Sequence, residues 1–346
     1  MVYCAAMTAP VITSVEPRAG VEGGELVVAC ADFDPATWRE IDVTFDGVSS
    51  RAVSASRDRI VTTVPSGVSG RVNLRVASAA GSSDAVPFEV AERLADSLHP
   101  VANPAFDHDN GSIFTTLSGT RGQEVPVSVY KVTSTGESQP FLSDLTNPTG
   151  LAFDPDGTLF ITSRFDGCVY RVTPFKQAEA FARNLGVATG IAFDAHGTMF
   201  VGDRSGTIFR VSDIGDAAPF ATLEPSMAAY HLAFGPDSAL YVTGPTASSF
   251  DSIYRIDTDG DVTNFYTGLG RPQGLAFDVD GTCFVVASRQ GRRGLFRITK
   301  EGEATMVVAG PSLVGLCFDD AGNAILASTR EIYRVRLGVK PFWPFS

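Results

Sequence analysis

Gly150-Leu-Ala-Phe153-Asp-Pro-Asp-Gly157-Thr-Leu-Phe160-Ile-Thr162 is followed, after a short loop, by Val169-Tyr-Arg-Val172. The first stretch is two short apolar runs joined by an Asp/Gly turn, and the second is a third run rich in β-branched and aromatic residues. That is the pattern of a hairpin extended by another strand. The same text returns as Gly190-Ile-Ala-Phe193-Asp-Ala-His-Gly197-Thr-Met-Phe200-Val-Gly202, with Ile208-Phe-Arg-Val211 behind it.

Outward from these two copies, the phenylalanine of the first run recurs at Phe106, Phe153, Phe193, Phe234, Phe277 and Phe318, at steps of 47, 40, 41, 43 and 41 residues. The third run recurs as Val129-Tyr-Lys-Val132, Ile253-Tyr-Arg-Ile256, Leu295-Phe-Arg-Ile298 and Ile332-Tyr-Arg-Val335. A fourth run follows in several copies, as in Gln139-Pro-Phe141-Leu142, Ala218-Pro-Phe220-Ala221 and Thr263-Asn-Phe265-Tyr266. We name the four strands of a unit a to d. A sheet this short has two apolar faces and can bury them only against neighbouring units, so the units pack face to face around an axis. Both markers occur six times, which predicts a six-bladed β-propeller over residues 92–346. All six strand-a phenylalanines are expected to be buried between blades, and Val339-Lys-Pro-Phe-Trp343-Pro-Phe345 to supply the last outer strand.

Residues 10–91 read differently. Short alternating strands (Leu26, Val28 and Cys30; Val43 and Phe45; Val72, Leu74 and Val76) are separated by turn signals at Asp46-Gly47, Pro65-Ser66-Gly67 and Gly81-Ser82. Period-two alternation with frequent turns predicts an antiparallel β-sandwich. The run from Ile12 to Gly24 with its paired glycines, Phe33, and the Phe45-Asp46-Gly47 hairpin resemble the IPT/TIG family of immunoglobulin-like domains. The resemblance implies a spacer or interaction domain without chemistry of its own. Residues 1–9 form a tail. The second domain resembles the NHL-repeat and gluconolactonase-type propellers, above all in Gly150–Phe160. Such propellers host lactonases, lyases, strictosidine-synthase-like enzymes and pure binding proteins, so the resemblance specifies fold and leaves function open.

The whole chain is all-β in character: 346 residues, with 34 Gly and 20 Pro, enough for two domains. A net charge of −12 argues against nucleic acid as a partner. No window is apolar enough for a membrane helix, so no membrane partner is expected. The odd set Cys4, Cys30, Cys168, Cys283 and Cys317 matches no zinc spacing and is expected to remain free thiols. Residues 1–10 show no secretory signal, which together with the thiols favours a cytoplasmic compartment.

In such a propeller the d–a and b–c loops meet at one mouth of the axial channel. The positions just before the repeat glycine are Ala102, Thr149, Thr189, Tyr230, Gln273 and Val314. The glycine itself (Gly150, Gly190, Gly274, Gly315) gives way to Asn103 and His231 in the first and fourth units. Gluconolactonase-type enzymes hold a divalent metal with carboxylates and amides from such positions. Here they carry no Asp or Glu, whereas a hard cation wants charged oxygens. Of the four histidines (His99, His108, His196 and His231) only His231 falls at the mouth, too few for a zinc site. No metal or cofactor is therefore expected. His231 is the single catalytic candidate, as a channel-facing acid/base or ligand contact beside Tyr230, or else a strand-start residue that satisfies backbone groups. The acidic a–b turns, such as Asp154-Pro-Asp156-Gly157 and Asp278-Val-Asp280-Gly281, read as turn chemistry before they read as calcium loops.

An arginine follows strand b in five units: Arg121, Arg164, Arg204, Arg289 and Arg330. Either they form a cationic ring that receives an anion, or they brace the blades through carbonyls and neighbours such as Asp166 and Asp203. The expectation is a binding protein whose mouth receives an anionic small molecule or an acidic protein segment. The arginines, Asn103, Thr149, Thr189, Tyr230, His231 and Gln273 would make the contacts. The alternatives are a gluconolactonase-like hydrolase or lyase with an altered channel, and a scaffold that assembles through propeller rims.

Overall fold

The structure is a computed structural model and describes residues 9–31, 41–248 and 250–345; Cys4 and Phe33 lie outside the described residues. Two compact units result. One is Met1–Glu92 with Arg292–Leu295 and Met306–Pro311, and the other is the remainder.

In the first unit, Val11–Glu16 pairs with Glu25–Ala31, which pairs with Arg59–Thr63 and through it with Val48–Ala55. Asp42–Phe45 pairs with Val48–Ala55 and with Gly70–Ser78, and Gly70–Ser78 pairs with Val86–Val90. All these pairs are antiparallel. The alternation seen in the sequence is the burial pattern: Leu26, Val28, Val43, Phe45, Leu74 and Val76 are buried in one core, where Phe45 meets Phe88 edge to face at 5.4 Å. The Asp46-Gly47 turn has positive φ at both residues, 47° and 86°, which Asp tolerates and Gly accepts freely. Asp46 Oδ1 fixes it by accepting the main-chain N–H of Asn73 at 2.9 Å.

The second unit is built from four-stranded meanders. One consists of Pro148–Phe153, Leu159–Ser163, Cys168–Val172 and Ala178–Ala182, with strand a innermost. The innermost strands of successive repeats are Ala105–Asp107, Pro148–Phe153, Ala188–Phe193, His231–Phe234, Leu275–Phe277 and Leu313–Phe318. Each touches the next, and the last returns to the first, so they close a ring. The fold is all-β, a β-propeller preceded by an immunoglobulin-like domain.

Three details differ from the sequence reading. Five four-stranded sheets stand alone, not six. The strands of the fifth repeat, Leu275–Phe277, Cys283–Arg289, Arg292–Ile298 and Ala304–Ala309, run in a longer sheet, because Ala309 pairs with Gly20 within the first unit. The last outer strand is Glu92–Ala95, paired beside Ile332–Arg336, and not the Val339–Phe345 segment. That segment instead crosses the a–b turns: Val339 N–H donates to Gly322 O at 3.2 Å, Val279 N–H to Lys340 O at 2.9 Å and Phe342 N–H to Phe277 O at 2.9 Å. Finally, Phe193, Phe234, Phe277 and Phe318 are buried, but Phe106 and Phe153 are only half-buried. Both border a cavity on the axis.

The seams between repeats have one recurring construction. The aromatic ring of strand b sits between the strand-d ring of its own repeat and the strand-a phenylalanine of the next. Phe114 meets Phe141 at 4.7 Å and Phe153 at 5.5 Å; Phe160 meets Phe181 at 5.2 Å and Phe193 at 5.3 Å; Phe200 meets Phe220 at 5.0 Å and Phe234 at 5.3 Å. Tyr241 and Phe284 continue the series against Phe277 and Phe318. Ile325 takes the ring's place against Phe106. Nearer the axis the strand-a glycine permits the close approach, since a Cβ on Gly150 would lie 2.3 Å from Thr189 O and one on Gly315 2.3 Å from Ala102 O.

Two stability measurements check this construction. Phe200→Ala should cost about 3–5 kcal/mol in denaturant unfolding, because it empties a seam on both sides. Gly150→Ala, which forces a methyl onto a carbonyl oxygen, should cost about 1–3 kcal/mol.

Candidate functional site

The arginine mouth is assembled by main-chain hydrogen bonds. Arg164 N–H donates to Asn147 O at 3.2 Å and Arg204 N–H to Val187 O at 3.0 Å, so each arginine starts its b–c loop against the segment that leads into strand a. Asn147, fully buried and at φ 47°, ties in the loop that carries Arg121. Its Nδ2 donates to Gly119 O at 3.0 Å and Thr120 O at 2.9 Å, and its Oδ1 accepts Gly122 N–H at 2.7 Å. This buried asparagine escaped the sequence reading. Its signal is the Leu-Thr-Asn-Pro turn just ahead of Gly150.

Among the described residues none of the five loop arginines pairs with a carboxylate. The carboxylates expected to brace them are committed elsewhere. Asp166 accepts the Tyr170 hydroxyl at 2.5 Å and Cys168 N–H at 3.1 Å, while Asp203 accepts Val187 N–H at 2.8 Å and the Ser205 hydroxyl. The arginines do reach carbonyls: Arg164 Nη2 donates to Gly119 O at 2.9 Å and Arg204 Nε to Ser226 O at 3.0 Å. Arg164 Nε is buried without a hydrogen-bond partner. Burial, and then the charges of Arg204 and Arg121, pull the Arg164 pKa below its ordinary value. Arg121, Arg164 and Arg204 thus form one electrostatic group. Arg289 is turned away, its Nη1 donating to Ala304 O at 2.6 Å, and Arg330 is exposed on the sixth repeat, its main-chain N–H held by Ser328 Oγ at 3.1 Å.

The inner positions are wall. Thr149, Thr189, Tyr230, His231 and Gln273 are all buried. Thr189 Oγ1 donates to Gly202 O at 3.1 Å and accepts Tyr230 N–H at 3.1 Å. Thr149 Oγ1 donates to Asn147 O at 3.3 Å, and Gln273 O accepts the Thr243 hydroxyl at 2.7 Å. The Tyr230 hydroxyl donates to Glu224 O, and its ring fills the space that Gly202 and Gly244 leave open; burial pushes its phenol pKa up.

The two residues that replace the repeat glycine meet. Asn103 and His231 belong to the first and fourth of the ring's inner strand segments, opposite one another, yet Asn103 Oδ1 lies 3.1 Å from His231 Nδ1. The same oxygen accepts Leu316 N–H at 3.2 Å, so it is the acceptor and His231 donates from Nδ1. The missing side chain of Gly274 leaves room, for a Cβ there would lie 2.5 Å from Asn103 Oδ1. The channel is bridged at this level.

On the a–b-turn side of the bridge is a cavity of about 520 Å³, lined by the strand-a residues and by Phe342–Phe345. Sequence reasoning missed it. The signal was the small residue before each strand-a phenylalanine, Ala105, Ala152, Ala192, Ala233, Ala276 and Cys317, which keeps the axis hollow. The turn aspartates below it serve the backbone. Asp154 Oδ1 accepts Asp156 and Thr158 N–H at 3.0 and 2.7 Å, and Asp194 Oδ1 accepts His196 and Thr198 N–H at 2.8 and 2.9 Å. Among the described residues no three His, Cys, Asp or Glu side chains gather where a metal ion could be held. The cysteines at 30, 168, 283 and 317 are free, and burial raises their thiol pKa values.

With the geometry in place, the chain can be set beside known proteins. A search of curated protein sequences finds no match. The solved gluconolactonase of Xanthomonas campestris is similar to the propeller, at 17% identity and TM-score 0.61, covering 71% of this chain and 88% of its own. Virginiamycin B lyase of Staphylococcus aureus is similar at 16% identity and TM-score 0.52, covering 71% and 99%. An auxiliary nutrient binding protein of Bacteroides thetaiotaomicron matches 97% of this chain and 99% of its own, at 14% identity and TM-score 0.54. At these identities the likeness is one of fold. Residues 10–90 match the family profile of the IPT/TIG domain, so the chain carries an IPT/TIG domain followed by a propeller of gluconolactonase-like fold.

Proposed function

We propose that the protein is a binding protein whose propeller mouth receives an anionic small molecule at Arg121, Arg164 and Arg204. The observation that carries this reading is the half-buried Arg164, which has an unsatisfied Nε, two neighbouring guanidinium charges and no carboxylate partner among the described residues. A carboxylate or phosphate at the mouth would relieve the repulsion among these like charges. The likeness in fold over 97% of the chain to an auxiliary nutrient binding protein is in keeping with it. The exposed Phe165, next to Arg164, adds an apolar contact for a ligand's body. An acidic protein segment would present the same carboxylates.

A gluconolactonase-like hydrolase is the other reading, favoured by the fold of the propeller. The donor set does not fit that family's divalent metal. Thr149, Thr189 and Tyr230 offer neutral oxygens already committed to the wall, and His231 is bonded to Asn103.

The test is calorimetric titration of gluconate and of inorganic phosphate into the full chain. Binding should weaken as salt rises, since exposed charges are screened over about 8–10 Å at ordinary ionic strength. The Arg164→Ala/Arg204→Ala double variant should lose about tenfold or more in affinity, one charge-assisted contact or better, with little change in melting temperature. A variant that instead loses stability makes the arginines braces for the Gly119 and Ser226 carbonyls. Turnover of a gluconolactone dependent on an added divalent cation would favour the hydrolase.

A further inference from the structure

The cavity beyond the Asn103–His231 bridge has a chemistry unlike that of the arginine mouth. Its wall is apolar and aromatic. Its lining includes Asp107, Asp109, Asp154 and Asp156 and, among the described residues, no lysine or arginine. The four carboxylates are not equivalent. Asp107 and Asp154 are held by turn hydrogen bonds. Asp109 and Asp156 are exposed and make no ion pair among the described residues. Their turns adjoin, since a Cβ on Gly157, next to Asp156, would lie 3.4 Å from Asp109 Oδ2. Two carboxylates thus stand on adjoining turns of the first two repeats at the rim of the cavity, neither paired with a cation among the described residues.

The same sector holds the two strand-a phenylalanines that are not fully buried, Phe106 and Phe153. A partly exposed aromatic ring attracts a cation in its own right. The far side is closed by the strap 339–345, whose Trp343 ring packs on His108 at 4.3 Å. His108 in turn reaches Asp320 at 2.6 Å. A volume of about 520 Å³ lies within the range of small-molecule sites.

The geometry points to a second ligand site, in which the cavity takes the apolar body of an organic amine or quaternary ammonium ion and Asp109 and Asp156 receive its charged end. The site is independent of the anion reading, because the bridge separates it from the arginine mouth and the charge it selects is the opposite one.

The probe is n-octylammonium, titrated into the full chain by calorimetry, with n-octanol and n-octanoate as neutral and anionic counterparts of the same body. n-Octylammonium is expected to bind saturably, with octanol weaker and octanoate about tenfold weaker or more. Ala233→Phe, which fills the cavity from the fourth repeat, should abolish binding of all three. Because that variant could disturb the ring, Asp109→Asn/Asp156→Asn provides an independent reading: it should bring octylammonium to the affinity of octanol and leave octanol unchanged. Absence of saturable heat, equal affinity for octanoate, or unchanged octylammonium binding in the double Asn variant would each overturn the site.

Discussion

The whole propeller rests on how close two neighbouring inner strands can come. Carbonyl oxygens of one strand a occupy the place where a side chain of the previous strand a would stand, as Thr189 O does beside Gly150 and Ala102 O beside Gly315. That contact draws the repeats into a narrow ring. The ring then fixes the wedge-shaped gap between sheets, and the strand-b aromatics fill it edge to face against phenylalanines on either side. Aromatic quadrupoles favour this tilt over flat stacking, so the seam also sets the angle between sheets. Polar bonds reinforce the inner end: the Thr162 hydroxyl donates to Thr189 O at 2.7 Å while accepting Gly150 N–H at 2.7 Å, and Thr243 repeats the donation to Gln273 O.

Against that constraint, the two departures from glycine carry meaning. Asn103 and His231 put side chains where the ring tolerates none at the other four inner strands, and they do so on opposite sides. Asn103 needs room that Gly274 provides. The result is a floor across the axis. It divides what the channel could bind into a cationic face, where Arg121, Arg164 and Arg204 converge, and a hollow with carboxylates at its rim. Arg164 and Arg204 start their loops at strand ends, the loop of Arg121 is tied by Asn147, and the turn that carries Asp156 is closed by Asp154 Oδ1.

The repeat was legible because each unit solves the same packing problem with the same residue types. Phe153, Phe193 and Phe234 recur since each must enter the same wedge, and the IPT/TIG strands alternate since one face of each is core. What was not legible depends on partners distant in the chain. Glu92–Ala95 carries no repeat motif, and its place beside Ile332–Arg336 follows only from ring closure. The strap 339–345 reads as a strand by composition, but its hydrogen bonds go to two a–b turns and to the end of one inner strand. Five arginines look alike in the loops, yet Arg289 faces its own outer strand, because the direction of a long side chain is set by whichever carbonyl it reaches.

The candidate site was open to reading by position and not by depth. Thr149, Thr189, Tyr230 and Gln273 stand where the repeat alignment puts them, but closing the ring turns that position inward. A hydroxyl that would face solvent in an isolated hairpin instead meets a carbonyl of the next repeat, and burying it without such a partner would be costly. The same closure acts oppositely on the residue before each strand-a phenylalanine. In a lone sheet a run of alanines is unremarkable filler. On a ring those small side chains line one hollow, and the volume they leave empty belongs to the cavity. A hollow of this kind persists only where the surrounding wall cannot collapse, and here the wall is held apart by the aromatic seams. The constraint that builds the fold is therefore also the one that keeps a cavity open inside it.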